Sequence, residues 1–324
     1  MPDRFTTGII ISIILGLALP CRGSVASALD VVTHAAIVLL FFLYGVKLSR
    51  RSVWEGVLHW RLQAMVLFFT FAFFPICVWL CRPALEPLVG AALYAGLLYV
   101  ACLPSTVQSS IAFTSVAGGN VPAAVCSASI SSLLGVFFTP LLVGLLFSRQ
   151  GAAAGSGGVG MDAILTISYQ ILLPFTLGQL LQKWLKPMVD AHRGLVSLND
   201  QITIWLVIYT SFSAATVQGY WQQLDARSLV GLIAACLLLL GIIQVTIYLS
   251  CKALKFNKAD SITILFCGSK KSLAVGAPMM LAIFGVLDNN LLLPLMVFHQ
   301  VQLMLCAHLA ARWRKQSQNV SQPL

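Results

Sequence analysis

Long apolar runs separated by short polar clusters pattern the whole chain. Runs such as 8–20, 31–46 and 229–249 approach or reach the roughly 20 residues that a helix needs to cross a ~30 Å hydrocarbon layer. Dividing the chain wherever charges, Gly or Pro cluster predicts ten helical spans, near residues 6–20, 31–48, 62–80, 88–118, 121–147, 161–185, 199–219, 228–251, 259–285 and 290–311. Between the fifth and sixth lies the small-residue stretch 150–158, which cannot pack anything and reads as a join between two halves. The expectation is an all-α membrane protein with residues 1–150 as a first five-helix repeat and 151–324 as a second, inverted one. Together the two form one transmembrane domain.

The fourth and ninth spans depart from the pattern of plain helices. The fourth runs Tyr99-Val100-Ala101-Cys102-Leu103-Pro104 and then turns polar, Ser105-Thr106-Val107-Gln108-Ser109-Ser110. The ninth runs Ile264-Leu265-Phe266-Cys267-Gly268 and then Ser269-Lys270-Lys271-Ser272. Each has an apolar lead, a Cys, a Pro or Gly break and a polar cluster, and the breaks lie 165 residues apart, about half the chain. Discontinuous helices at matching places in inverted halves point to the central site of a transporter. Each break exposes the N-terminus of a second half-helix, near Val107 and near Ser272, so two partial positive charges converge.

Composition supports a bilayer as the solvent. Of 324 residues, 59% are hydrophobic and 9% charged, with mean hydropathy +0.90, which excludes an ordinary soluble core. The first run is read as a retained helix, because Pro20-Cys21-Arg22 is a poor signal cleavage site. Net charge is +10, but the basic residues sit in clusters between spans, so membrane orientation explains them and no nucleic-acid partner is expected. Arg4, Lys47, Arg50, Arg51, Arg61, Lys183, Lys186, Arg193, Lys252, Lys255, Lys258, Arg312, Arg314 and Lys315 fall on one side of the ten-span topology. Arg22, Arg82, Arg149 and Arg227 alone fall on the other. Positive charge marks the cytoplasmic side, so both termini are expected there, in a bacterial inner or plasma membrane. Cys77, Cys102, Cys126, Cys236, Cys267 and Cys306 lie within apolar runs and read as small hydrophobes. No spacing suggests a metal site, and no cofactor is expected.

The remaining two basic residues, Lys270 and Lys271, fall about eleven residues into the ninth span, roughly 16 Å along it and near the bilayer midplane. With two half-helix N-termini, they favour an anionic ligand. The expected substrate-binding set is Ser105, Thr106, Gln108, Ser109, Ser110, Ser269, Lys270, Lys271, Ser272 and His299. Plainer readings stay open beside it. The lysines would lie outside the membrane if the ninth span were two short helices, although the basic C-terminus would then fall on the wrong side. The serines of spans four and five also suit close helix packing. His299, Gln300 and Gln302 are costlier to bury than Ser; a hydrogen-bonded structural histidine is the alternative to a proton carrier. Asn120 reads as a turn residue.

The Ser/Thr cluster at Pro104, Gly268-Ser269 before a polar run, and ten spans in two halves resemble the bile acid:sodium symporter family (solute carrier family 10), over nearly the whole chain. Phe266-Cys267-Gly268-Ser269-Lys270-Lys271-Ser272 and Phe42-Leu43-Tyr44-Gly45-Val46-Lys47-Leu48 are similar to the divergent branch that includes its seventh human member and bacterial relatives. The resemblance implies alternating access, a core bundle of spans 4, 5, 9 and 10, a panel of the rest, and two sodium ions held at the crossing by a Ser-Asn pair, a Glu and a Gln. Here Ser109 matches, but Ser110 stands at the Asn, Phe266 at the Glu and Lys270 at the Gln. All ten Asp and Glu fall at span ends or in loops. The expectation is therefore a secondary transporter of a small organic anion in which a lysine ammonium replaces the coupling cation, leaving H+, exchange or no coupling; a lysine could itself carry the proton. A sodium-coupled symporter with an altered ion site and a non-transporting membrane regulator remain alternatives. An enzyme is not expected, because there is no midplane Asp pair and no Gly-x-Ser-x-Gly motif around Ser109. Substrate identity and oligomeric state stay open.

Overall fold

The structure, a computed structural model, describes residues 4–47, 59–148, 161–223, 225–285 and 288–320. Among these residues every regular element is a helix. In chain order they are α1 (Arg4–Ala18), α2 (Ser24–Lys47), α3 (Trp60–Leu80), α4 (Arg82–Val89), α5 (Ala91–Cys102), α6 (Gln108–Val116) and α7 (Val121–Ser148). There follow α8 (Met161–Ala191), α9 (Arg193–Val217), the short α10 (Tyr220–Gln223), α11 (Ala226–Ala253), α12 (Lys258–Ser269), α13 (Leu273–Phe284) and α14 (Asn289–Val320). Each expected span coincides with a helix or, for the fourth and ninth, with the broken pairs α5/α6 and α12/α13. The helices α2, α3, α7, α11 and α14 are each long and apolar enough to cross a membrane. The stretch 150–158, expected to join the halves, and the loop charges Arg50, Arg51 and Arg149 lie outside the described residues.

Two short helices were not anticipated. Pro83 lies in the first turn of α4, where proline's fixed φ suits a helix start. Gly90, at φ 83°, then turns the chain sharply into α5.

Helix contacts separate two layers. In one, α2 lies along α8 and α1 along α9, with α2 also against α9. Gly45 and Gly178 make the first contact possible: a Cβ on either would collide with the backbone of the other helix, at Phe175 and Phe42 respectively. This is the small-residue close approach by which helices associate where water provides no drive. In the other layer, α14 packs along α5, and α12 packs against α6 and α7. In this layer too, α3 lies on α7 and α12, and α11 on α12, α14 and α4. The layers meet where α13 touches α8 and α9 and where α7 touches α8.

Candidate functional site

The first break follows from Pro104. A proline pushes its predecessor out of helical geometry and donates no N–H, and Leu103 is extended at φ −77°, ψ 154°. In the second, Lys270 and Ser272 are extended at φ −97°, ψ 151° and φ −88°, ψ 112°. The two segments cross in contact. The Ser272 N–H donates to Pro104 O at 2.9 Å, the Tyr99 hydroxyl to Gly276 O at 2.7 Å, and the Ser110 hydroxyl to Phe266 O at 3.1 Å. Gly276 permits this approach, since a Cβ there would run into the Leu103 side chain.

Backbone groups freed by a break must find partners when buried, and the next helix supplies several on both sides. On α7, Ser131 Oγ accepts from Ser105 N at 3.0 Å and Thr139 Oγ1 donates to Cys102 O at 2.8 Å. On α14, Gln302 takes both ends of one residue, accepting from Lys271 N at 2.8 Å and donating to Lys271 O at 2.7 Å. His299 Nδ1 lies 3.0 Å from the Gln302 amide nitrogen. Sequence reasoning marked Gln302 as costly to bury but not its role as the clamp of the second break.

Both lysines are fully buried and point to different places. Lys271 Nζ donates to three carbonyls, Thr70 O at 2.7 Å, Ala101 O at 2.7 Å and Leu103 O at 2.9 Å, and stands 4.5 Å from the Phe74 ring centre. An ammonium has three donors, and all are used. Two acceptors belong to the carbonyl end of α5, the negative end of its dipole. The third, Thr70 O, is free because residues Phe69–Phe73 of α3 form a π-turn in which the Phe74 N–H reaches back to Phe69 O. In that register residue 75 would donate to Thr70, and residue 75 is Pro75, which has no N–H. Lys270 Nζ donates instead to Ser109 Oγ at 3.0 Å and lies 4.1 Å from the Phe113 ring centre. A ring face at that distance attracts a cation.

Beside the crossing lies a cavity of about 630 Å³ between the two layers. Of the residues expected to bind substrate, Thr106, Gln108, Ser109, Ser272 and His299 line it. Ser105, Ser110, Ser269, Lys270 and Lys271 are buried outside its lining. Ser109 connects the two groups, since it borders the cavity and accepts from Lys270; its Oγ is also 2.8 Å from Thr106 Oγ1. Ser269 donates to Leu265 O at 2.6 Å within its own helix. The first turns of α6 and α13 both border the cavity, the latter through Leu273, Ala274 and Val275. Ser272 caps α13 by accepting from Val275 N at 3.2 Å. The panel adds residues that sequence reasoning missed: Tyr44 and Lys47 from α2, Ser197, Asp200 and Gln201 from α9. Lys47 and Asp200 form an ion pair at 2.6 Å. The sequence showed them only as charges near span ends.

Two broken helices crossing inside a helical membrane protein, with their half-helix N-termini on an internal cavity, define the architecture of a secondary transporter. The chain matches the SBF-like CPA transporter family over residues 3–315, and it belongs to that family. Among its relatives, an uncharacterised protein of Pseudomonas aeruginosa is 47% identical over 325 residues, covering 100% of this chain and 96% of the relative. YfeH of Escherichia coli, designated a candidate symporter, is 45% identical over 323 residues, covering 98% and 95%. Sodium/bile acid cotransporter 7 of Danio rerio is 28% identical over 311 residues, covering 94% and 91%. The protein is thus an integral membrane protein of the sodium/bile acid symporter type.

Proposed function

We propose that this transporter carries a small organic anion by alternating access, and that Lys271 takes the place of a coupling sodium ion. The observation that carries this reading is the Lys271 ammonium on three carbonyls at the helix crossing. Carbonyl oxygens at that spacing suit a small cation, and an ammonium tethered there does not leave the site. Such an arrangement supplies the positive charge without an ion gradient, so coupling falls to H+ or is absent. Anion preference follows from the first turns of α6 and α13, which present partial positive charge to the cavity. A volume of about 630 Å³ suits a small organic solute. Cytoplasmic termini in a bacterial inner or plasma membrane, and halves 1–150 and 151–324 related by inversion, complete the proposal. The names of the vertebrate relatives join sodium to bile acid; here the anionic character is retained and the sodium is not.

The test is uptake by reconstituted proteoliposomes of a panel of small carboxylates and sulfonates beside their neutral amides. Saturable uptake confined to the anions is expected. Uptake of the amides at the same rate, or of neither, contradicts the proposal.

A further inference from the structure

We propose that the Lys47–Asp200 pair is a joint proton and anion binding site: Lys47 turns to the anionic group of the substrate while Asp200, left without its partner, takes up a proton. This rests on the reading of the cavity as an organic-anion site and assigns its coupling ion.

The pair joins two panel helices across 153 residues of sequence, with Lys47 Nζ on Asp200 Oδ2 at 2.6 Å. Both side chains border the cavity and are partly exposed, at 34% and 22%. They are the only Lys, Arg, Asp or Glu among the described residues lining it, so the lining holds one positive and one negative charge, already paired. An anion arriving there would add an uncompensated negative charge, which a poorly solvated cavity disfavours strongly. Lys47 can meet that anion, since its flexible stem and three donors allow it to change partner. Asp200 cannot then remain as it is. Its Oδ1 is buried and has no hydrogen-bond partner, and the cavity wall around it includes Phe175 and Ile204. A desolvated carboxylate deprived of its counter-ion binds a proton.

The charges balance at each stage. The ammonium–carboxylate hydrogen bond breaks, a hydrogen bond from Lys47 to the anion forms, and a proton from the aqueous side bonds to Asp200. The lining is neutral before and after, and one proton enters with each negative charge. The other titratable groups on the cavity are Tyr44 on α2 and His299 on α14. From α8, Lys183, Lys186 and Asp190 line a neighbouring recess. No Asp, Glu, Lys, Arg or His occurs in α13 or in residues 7–18 of α1. His299 is engaged with Gln302, which leaves Asp200 as the carboxylate free to change state.

The test is infrared difference spectroscopy of the full-length protein in lipid nanodiscs, with isotope-labelled aspartate and no added anion. In Lys47→Gln at neutral pH the C=O band of a protonated aspartic acid is expected, and it is lost in Lys47→Gln/Asp200→Asn. In the wild type the same band is expected only on acidification, and it is absent from Asp200→Asn, so the result does not hang on one variant. A Lys47→Gln protein without the band, or a band that survives Asp200→Asn, overturns the proton site. Anion uptake is a separate arm: Asp200→Asn is expected to lose the acceleration that a pH gradient gives the wild type. A wild type that moves no anion but shows the band refutes the transport reading on which the proposal rests, while a wild type that moves anions without the band refutes this proposal alone.

Discussion

Lys271 and Lys270 are neighbours in sequence with unequal energetic roles. Successive residues in extended backbone project to opposite sides, which sends one ammonium to the carbonyls of α3 and α5 and the other to Ser109 and Phe113. Replacing Lys271 with Met keeps the stem and removes all three donors. Each unpaired buried acceptor costs about 1–3 kcal/mol, so a loss of at least about 3 kcal/mol is expected. Lys270→Met removes one hydrogen bond and a cation–ring contact, about 1–2 kcal/mol together. Thermal unfolding of the purified variants in detergent checks the order, and equal losses would show that Lys271 is not the structural cation. The depth of both lysines was legible from their position in an apolar span. Their division of labour was not, because the direction of a side chain in a helix break depends on a backbone geometry that hydropathy does not report. The same holds for Gln302, marked as a costly buried amide while its target, the backbone of Lys271, was invisible.

At the scale of elements, the feature absent from the sequence pattern is the π-turn of α3. Residues 62–80 read as one plain span, and a single extra residue in one turn leaves the hydropathy unchanged. Yet that turn, with Pro75 after it, frees Thr70 O for Lys271. Pro75→Ala restores an N–H that competes for this carbonyl. Its effect and that of Lys271→Met are therefore expected to be non-additive, with a coupling of about 0.5–3 kcal/mol in a double-mutant cycle. Strict additivity of the two unfolding free energies would mean that the turn does not serve the lysine. The broken helices themselves were legible, because Pro104 and Gly268 interrupt apolar runs and midplane polar clusters demand a reason. The neighbours of α3 and α11 were not: both have ordinary apolar composition, and only packing brings them against the broken helix α12.

For the whole molecule, charge clusters and apolar runs carry the membrane reading, while the cavity depends on contacts that sequence distance hides. Lys47 counts as a loop lysine and Asp200 as a span-end carboxylate until α2 and α9 come together. On the proposed reading, their meeting and the half-helix N-termini opposite suit the cavity to an anion and a proton. On the same reading, a resident ammonium makes sodium unnecessary. The most direct measurement is the initial rate of organic-anion uptake into proteoliposomes, with external sodium replaced by choline and with or without an imposed pH gradient. Rates indifferent to sodium and raised by a proton gradient directed inward are expected. Uptake that requires sodium and accumulates anion down a sodium gradient would contradict that reading.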